Sequence, residues 1–130
     1  MVKIVLMTHG NLGQALLDTA KDICCFEGQN VTTFSVSGKV NLEELESKVK
    51  AICAEEETLI LVDTFGGTAC NIALKCAVDN DKVFVVCGLN LNMLLTASHN
   101  NGKLPLKELY QKVVLDGKRA IFEATEGMKK

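Results

Sequence analysis

Two short segments hold the residue types that could do chemistry. In Ile4 to Gly10 (IVLMTHG) an apolar run stops at Thr8, His9 and Gly10. In Thr58 to Thr68 (TLILVDTFGGT) a second apolar run stops at Asp63, Thr64, Phe65, Gly66 and Gly67. An imidazole beside a carboxylate has a specific use. The carboxylate accepts a hydrogen bond from one ring nitrogen, which fixes the tautomer and leaves the lone pair of the other free to attack. It also favours the positive ring that forms on attack. Paired glycines opening a helix let backbone N–H groups turn toward an anion, and Thr68 and Thr64 can add hydroxyl donors. A helical pattern begins just after Gly10 as well, giving a second set of free N–H groups. The expectation is a histidine nucleophile, His9, that carries a phosphoryl group, with Asp63 orienting it. Thr64, Gly66, Gly67, Thr68 and Gly10 would line the phosphate site.

That expectation requires the two segments to meet in space. Val2 to Met7 is apolar apart from Lys3, as expected of a strand covered on both faces. Asn11 with Gln14 reads as a capping box, and Leu12, Leu16, Leu17, Ala20, Ile23 and Cys24 keep helical spacing until Glu27 and Gly28. Val31 to Val36 is a β-branched strand. A second capping box, Asn41 with Glu44, starts a helix whose inner stripe is Leu42, Leu45, Val49 and Ile52. Thr58 to Val62 is the third strand, and a helix over Thr68 to Val78 follows. Lys82 to Cys87 is the fourth strand, with a short helix over Met93 to Ser98 and a polar turn from His99 to Lys103. A last amphipathic helix runs from Pro105 to Gly117. The pattern leaves Lys118 to Thr125 open, with Ala120 to Phe122 either a fifth strand or one more helical turn.

The alternation of strands and helices predicts an α/β fold, a doubly wound parallel sheet of order 2-1-3-4 with helices on both faces. Strands one and three are then neighbours, with carboxyl ends about 4.7 to 4.9 Å apart. Ligands bind at the carboxyl ends of such sheets, so His9 and Asp63 should share one crevice.

The remaining totals bound the setting. With 130 residues, 48% hydrophobic and 23% charged, the chain should be a single folded domain spanning residues 1–130. Its net charge of −2 with interspersed signs gives no basic stripe for nucleic acid. No apolar run approaches the roughly 18 to 20 residues of a spanning helix, and the first strand is too short for a signal-peptide core; a cytoplasmic protein is expected. The six cysteines (Cys24, Cys25, Cys53, Cys70, Cys76, Cys87) include no C-x-x-C pair. They read as buried small hydrophobes in a reducing compartment, with neither a metal site nor a disulfide framework. No nucleotide-binding glycine motif occurs, and no cofactor is expected.

Over essentially its whole length the chain resembles the IIA domain of the mannose-type (mannose/fructose/sorbose) family of the bacterial sugar phosphotransferase system. The residues that carry the resemblance are IVLMTHG, LVDTFGGT and GLNLNML, from Gly88 to Leu94. It implies that His9 accepts phosphate from the phosphorylated histidine phosphocarrier protein HPr and passes it to a IIB component. The IIB component in turn phosphorylates sugar during uptake through the membrane IIC and IID subunits, and Asp63 hydrogen-bonds His9. It also implies a homodimer with a final strand, roughly Arg119 to Thr125, exchanged between subunits. The chain ends where a IIA unit ends, so the IIB partner is expected on a separate polypeptide or outside this sequence. Two family prolines are replaced, by Ala69 and Asn92, which frees two loop backbones near the site.

Other chemistries fit less well. A histidine phosphatase needs an arginine before its nucleophile, where Thr8 stands, and a second histidine; only His99 is available, in a turn expected to face solvent. A receiver domain phosphorylated on Asp63 needs an acidic pair after strand one for Mg²⁺, where Met7, Thr8 and His9 stand. A flavodoxin-type binding module lacks its phosphate loop. The phosphoryl donor subunit of a dihydroxyacetone kinase shares the chemistry but differs at the end of strand three, and it is the alternative function.

Overall fold

The fold is that of a computed structural model, which describes residues 1–24 and 30–129. Its elements in order are β1 (Lys3–His9), α1 (Leu12–Cys24), β2 (Val31–Val36), α2 (Leu42–Glu55), β3 (Thr58–Val62), α3 (Gly67–Ala77), β4 (Val83–Cys87), α4 (Leu91–Asn100) and α5 (Leu106–Arg119). The four strands form one sheet of order β2-β1-β3-β4, parallel throughout. This is the order expected from the alternating pattern.

Successive residues of β1 point to opposite faces of the sheet, and both faces are buried. Ile4 and Leu6, with Leu59 and Leu61 of β3, pack on one side against Leu17, Ala20, Met93, Leu94, Leu109 and Val113. Val5 and Met7, with Ile60 and Val62, pack on the other against Leu45, Val49, Ile72 and Ala73. Helices α1, α4 and α5 therefore cover one face, and α2 and α3 the other. The uninterrupted apolar runs of β1 and β3 follow from this double coverage.

Helix boundaries differ from expectation mainly at their ends. Leu12, Ile23 and Leu42, placed by periodicity on inner stripes, are exposed, because the first and last residues of α1 and α2 overhang the sheet. Cys24, expected to be buried, is exposed for the same reason. Glu27 and Gly28, expected to stop α1, lie outside the described residues, as does Cys25. Helix α4 is longer than expected and takes in His99, which still faces solvent.

A fifth strand is not formed among the described residues. Helix α5 runs through Arg119, and its end is closed by the Ala120 and Ile121 N–H groups donating to the Asp116 and Lys118 carbonyls at 3.1 and 3.3 Å. These bonds take residues 118–121 into a last helical turn. Ile121 and Phe122 are left 79% and 75% exposed, with no strand beside them.

Helices α4 and α5 meet at a glycine. A Cβ built on Gly117 would lie 2.5 Å from Met93 Cγ and 3.1 Å from its sulfur. The close approach also lets Asn90 Nδ2 donate to the Gly117 carbonyl at 3.1 Å while Asn90 Oδ1 caps α4 by accepting from the Met93 N–H at 2.9 Å. Gly117→Val should therefore overpack this joint and cost about 1–3 kcal/mol, measured as a lower urea midpoint with an unchanged slope.

Candidate phosphoryl-carrier site

The carboxyl ends of β1 and β3 converge as required. Met7 pairs with Val62 in the parallel register, so Asp63 leaves β3 beside the end of β1. Its carboxylate takes three hydrogen bonds. Oδ2 accepts from the His9 backbone N–H at 2.9 Å and from the His9 ring at Nδ1 at 3.0 Å. Oδ1 accepts from the Thr64 N–H at 3.0 Å. The Asp63 side chain is 9% exposed, whereas that of His9 is 56% exposed. One member of the pair is fixed within the fold and the other opens to solvent.

Burial raises the Asp63 pKa, but the hydrogen bonds from the His9 N–H and ring, the charge of the ring and the Thr64 N–H together outweigh it, and the pKa lies below the usual carboxylate value. Asp63 is therefore ionised at neutral pH and can only accept. A neutral His9 ring must accordingly carry its proton on Nδ1, which leaves the Nε2 lone pair outward.

The lowered pKa has a signed consequence for stability. A group whose folded pKa is depressed contributes stability above its unfolded value, about 3.9, and loses it as pH falls through the folded one. Asp63→Ala should thus flatten the acid limb of the stability profile below about pH 4, as read from urea midpoints across pH.

The turn from β1 into α1 is held by two hydroxyls. Thr8, 1% exposed, accepts from the Gly13 N–H at 2.8 Å, satisfying a first-turn donor of α1 that otherwise has no partner. The fit is close, since a Cβ at Gly13 would sit 3.0 Å from Thr8 Oγ1. Ser35 at the end of β2 donates to the Gly10 carbonyl at 2.7 Å, and Gly10 takes φ +55°. The capping box expected from Asn11 and Gln14 is not made. Gln14 bonds Asp18 and accepts from the Thr33 hydroxyl instead, and Thr8 supplies the cap. The sequence marks Thr8 as the polar end of an apolar run but not as a cap, and it does not mark Ser35. The available signal was Thr8 itself, a polar residue inside a doubly buried strand, which has to find a partner.

Of the expected phosphate-site residues, Thr64 bonds the pair, its N–H donating to Asp63 Oδ1. Gly66 and Gly67 have φ of +86° and +78° with open space at each Cβ position. Gly66 caps α3 without a side chain, so the first-turn N–H groups of that helix are not taken by a cap. The Thr64 N–H is committed to Asp63, and Thr68 lines the groove between α2 and α3 with Leu42, Glu46 and Lys75. Phe65, at 82% exposure, stands at the rim. The described residues contain no cluster of three or more His, Cys, Asp or Glu side chains able to hold a metal. No helix among them is long and apolar enough to cross a membrane.

Residues 3–114 match the family model described as PTS system fructose IIA component, PTS being the sugar phosphotransferase system. The mannose-specific EIIAB component of Escherichia coli K12 is 36% identical over 98 residues, covering 72% of this chain but 30% of that protein. The chain thus spans about a third of that relative's length. The fructose-specific EIIA component of Bacillus subtilis is 27% identical over all of this chain and 91% of its own. Among solved structures, the mannose/sorbose-specific IIA subunit from Enterococcus faecalis superposes with a TM-score of 0.78 at 28% identity, covering 94% of this chain and 93% of that one. The EIIA component from Streptococcus agalactiae shares the fold, with a TM-score of 0.88 at 23% identity, over 97% of this chain and 99% of its own.

Proposed function

The chain belongs to the fructose/mannose family of phosphotransferase-system IIA components, and from that premise we propose that His9 is its phosphoryl carrier. In this reading phosphorylated HPr is the donor and a IIB component the acceptor, in the cytoplasm, with the membrane IIC and IID subunits served indirectly. The observation that carries it is the 3.0 Å contact between His9 Nδ1 and Asp63 Oδ2 on a ring that is half open to solvent.

The step follows from that contact. His9 Nε2 attacks phosphorus in line, the P–N bond to it forms, and the P–N bond to the donor histidine breaks. The proton stays on His9 Nδ1, so the phosphorylated ring is cationic, and the ionised Asp63 stabilises it. Phosphoryl transfer needs mainly positioning and charge stabilisation. The free N–H groups at the start of α3, after Gly66 and Gly67, with the Thr68 and Thr64 hydroxyls and the turn at Gly10, are the donors proposed to hold the transferring oxygens. No metal and no cofactor takes part in this step.

Phosphorylation on Asp63 fits poorly, because three hydrogen bonds and its burial engage both oxygens. The homodimer belongs to the same reading. A second copy exchanging residues 119–125 would cover Ile121 and Phe122, which a single chain leaves exposed. The test is incubation with phosphoenolpyruvate, enzyme I and HPr. An acid-labile, base-stable phosphate on His9 Nε2 is expected. Label on Asp63, or none, overturns the assignment.

A further inference from the structure

Two cysteines face each other directly behind the His9 site. Cys70 Sγ and Cys87 Sγ are 3.8 Å apart, on α3 and at the end of β4. Neither is idle in position. Cys70 lies three residues beyond Gly67, in the first turn of the helix whose N-terminus opens on the site. Cys87 pairs with Val62, the residue before Asp63. Cys70 is buried, but Cys87, on the edge strand β4, is half-buried, so a small oxidant can reach it from solvent. A second pair, Cys53 on α2 and Cys76 on α3, is buried on both sides and has no such access.

We propose that Cys70 and Cys87 form a disulfide when the chain meets a hydroperoxide, and that this bond slows phosphoryl transfer at His9; the second half rests on the phosphocarrier reading above. The Cys87 thiolate attacks a peroxide oxygen, the O–O bond breaks, and Cys87 becomes a sulfenic acid. Cys70, deprotonating, attacks that sulfur and displaces the oxygen as water. Two thiols and one hydrogen peroxide give one disulfide and two waters, with both electrons passing from sulfur to oxygen.

A disulfide spans about 2.05 Å, so closure draws the two sulfurs together by roughly 1.8 Å. Part of that movement falls on the first turn of α3, and so on the Gly66–Gly67 turn that opens it. Burial, and the Cys70 thiol beside it, push the Cys87 thiol up to about 11. Cys87 therefore reacts slowly at neutral pH and responds to sustained oxidant, not to traces.

The test uses the full chain carrying Cys24→Ser and Cys25→Ser, treated with hydrogen peroxide and mapped by mass spectrometry without reduction. Peptides joined through Cys70 and Cys87, released by dithiothreitol and absent from Cys70→Ser and Cys87→Ser, are expected. A Cys53–Cys76 link, sulfinic acid at Cys87 or unreacted thiols overturns the proposal. Phosphoryl uptake from phosphorylated HPr should then be about tenfold to a hundredfold slower in the oxidised chain, restored by reduction and unaffected by peroxide in Cys70→Ser. Equal rates overturn the coupling. A chain that takes no phosphate in either state overturns the phosphocarrier reading instead, and the peptide map still decides the disulfide.

Discussion

His9→Ala should abolish phosphoryl uptake from phosphorylated HPr, while its denaturation midpoint stays within about 0.5 kcal/mol of the parent, as expected of a surface substitution. The ring is 56% exposed, so little packing is lost, and the His9 N–H bond to Asp63, the Thr8 bond to Gly13 and the Ser35 bond to Gly10 all remain. His9→Gln is the more searching variant. Its amide can reach the Asp63 carboxylate as a donor, yet it offers no nucleophilic nitrogen, so uptake should be lost with the local hydrogen bonding largely kept. Radiolabel from phosphoenolpyruvate measures both, and residual label on either variant would place the phosphate elsewhere.

The second large effect is expected at Asp63. Hydrogen bonds to a charged group are worth about 1.5–3 kcal/mol, and the bond to the ring gains strength as the ring becomes cationic. Asp63→Ala should slow phosphoryl uptake by roughly 10- to 150-fold. Asp63→Asn separates charge from geometry. An Asn oxygen placed at Oδ2 can still accept from both His9 donors, but its NH₂ group then opposes the Thr64 N–H, which needs an acceptor. The rate of Asp63→Asn should fall nearly as far as that of Asp63→Ala, and the Thr64 amide should exchange faster with solvent. Single-turnover transfer rates and amide exchange measure the two effects. A parent-like rate in Asp63→Asn would mean that the negative charge is not what matters.

The sheet order and the pairing of His9 with Asp63 were legible in the sequence because both depend on simple patterns. Apolar runs on β1 and β3 required two covered faces, and right-handed crossovers in the usual doubly wound order made those strands neighbours. What escaped was set by tertiary geometry. Asn11 and Gln14 have capping-box spacing, but the buried Thr8 hydroxyl lies under the α1 N-terminus and takes the cap. Leu12, Ile23 and Leu42 obey the helical period yet overhang the sheet, since periodicity does not say where the neighbouring layer ends. Lys118 to Thr125 is ambiguous because Ala120 to Phe122 suits a strand only where another strand is present to pair with it. Which ring nitrogen faces outward could not be read from residue types at all. It depends on the carboxylate lying at Nδ1, a matter of a single side-chain contact.

The placement of that carboxylate also constrains the order of events. Asp63 closes off Nδ1 from within the fold, so the only free nitrogen of His9 opens toward one side of the molecule. On the proposed reading, a donor and an acceptor must both bring a group in line with Nε2, and so they compete for the same approach. They have to take turns. Turnover should therefore follow ping-pong kinetics, with excess unphosphorylated acceptor inhibiting competitively against the donor. On the proposed reading the carrier would work as a two-position valve, its phosphorylation level measuring which of its two partners is running faster.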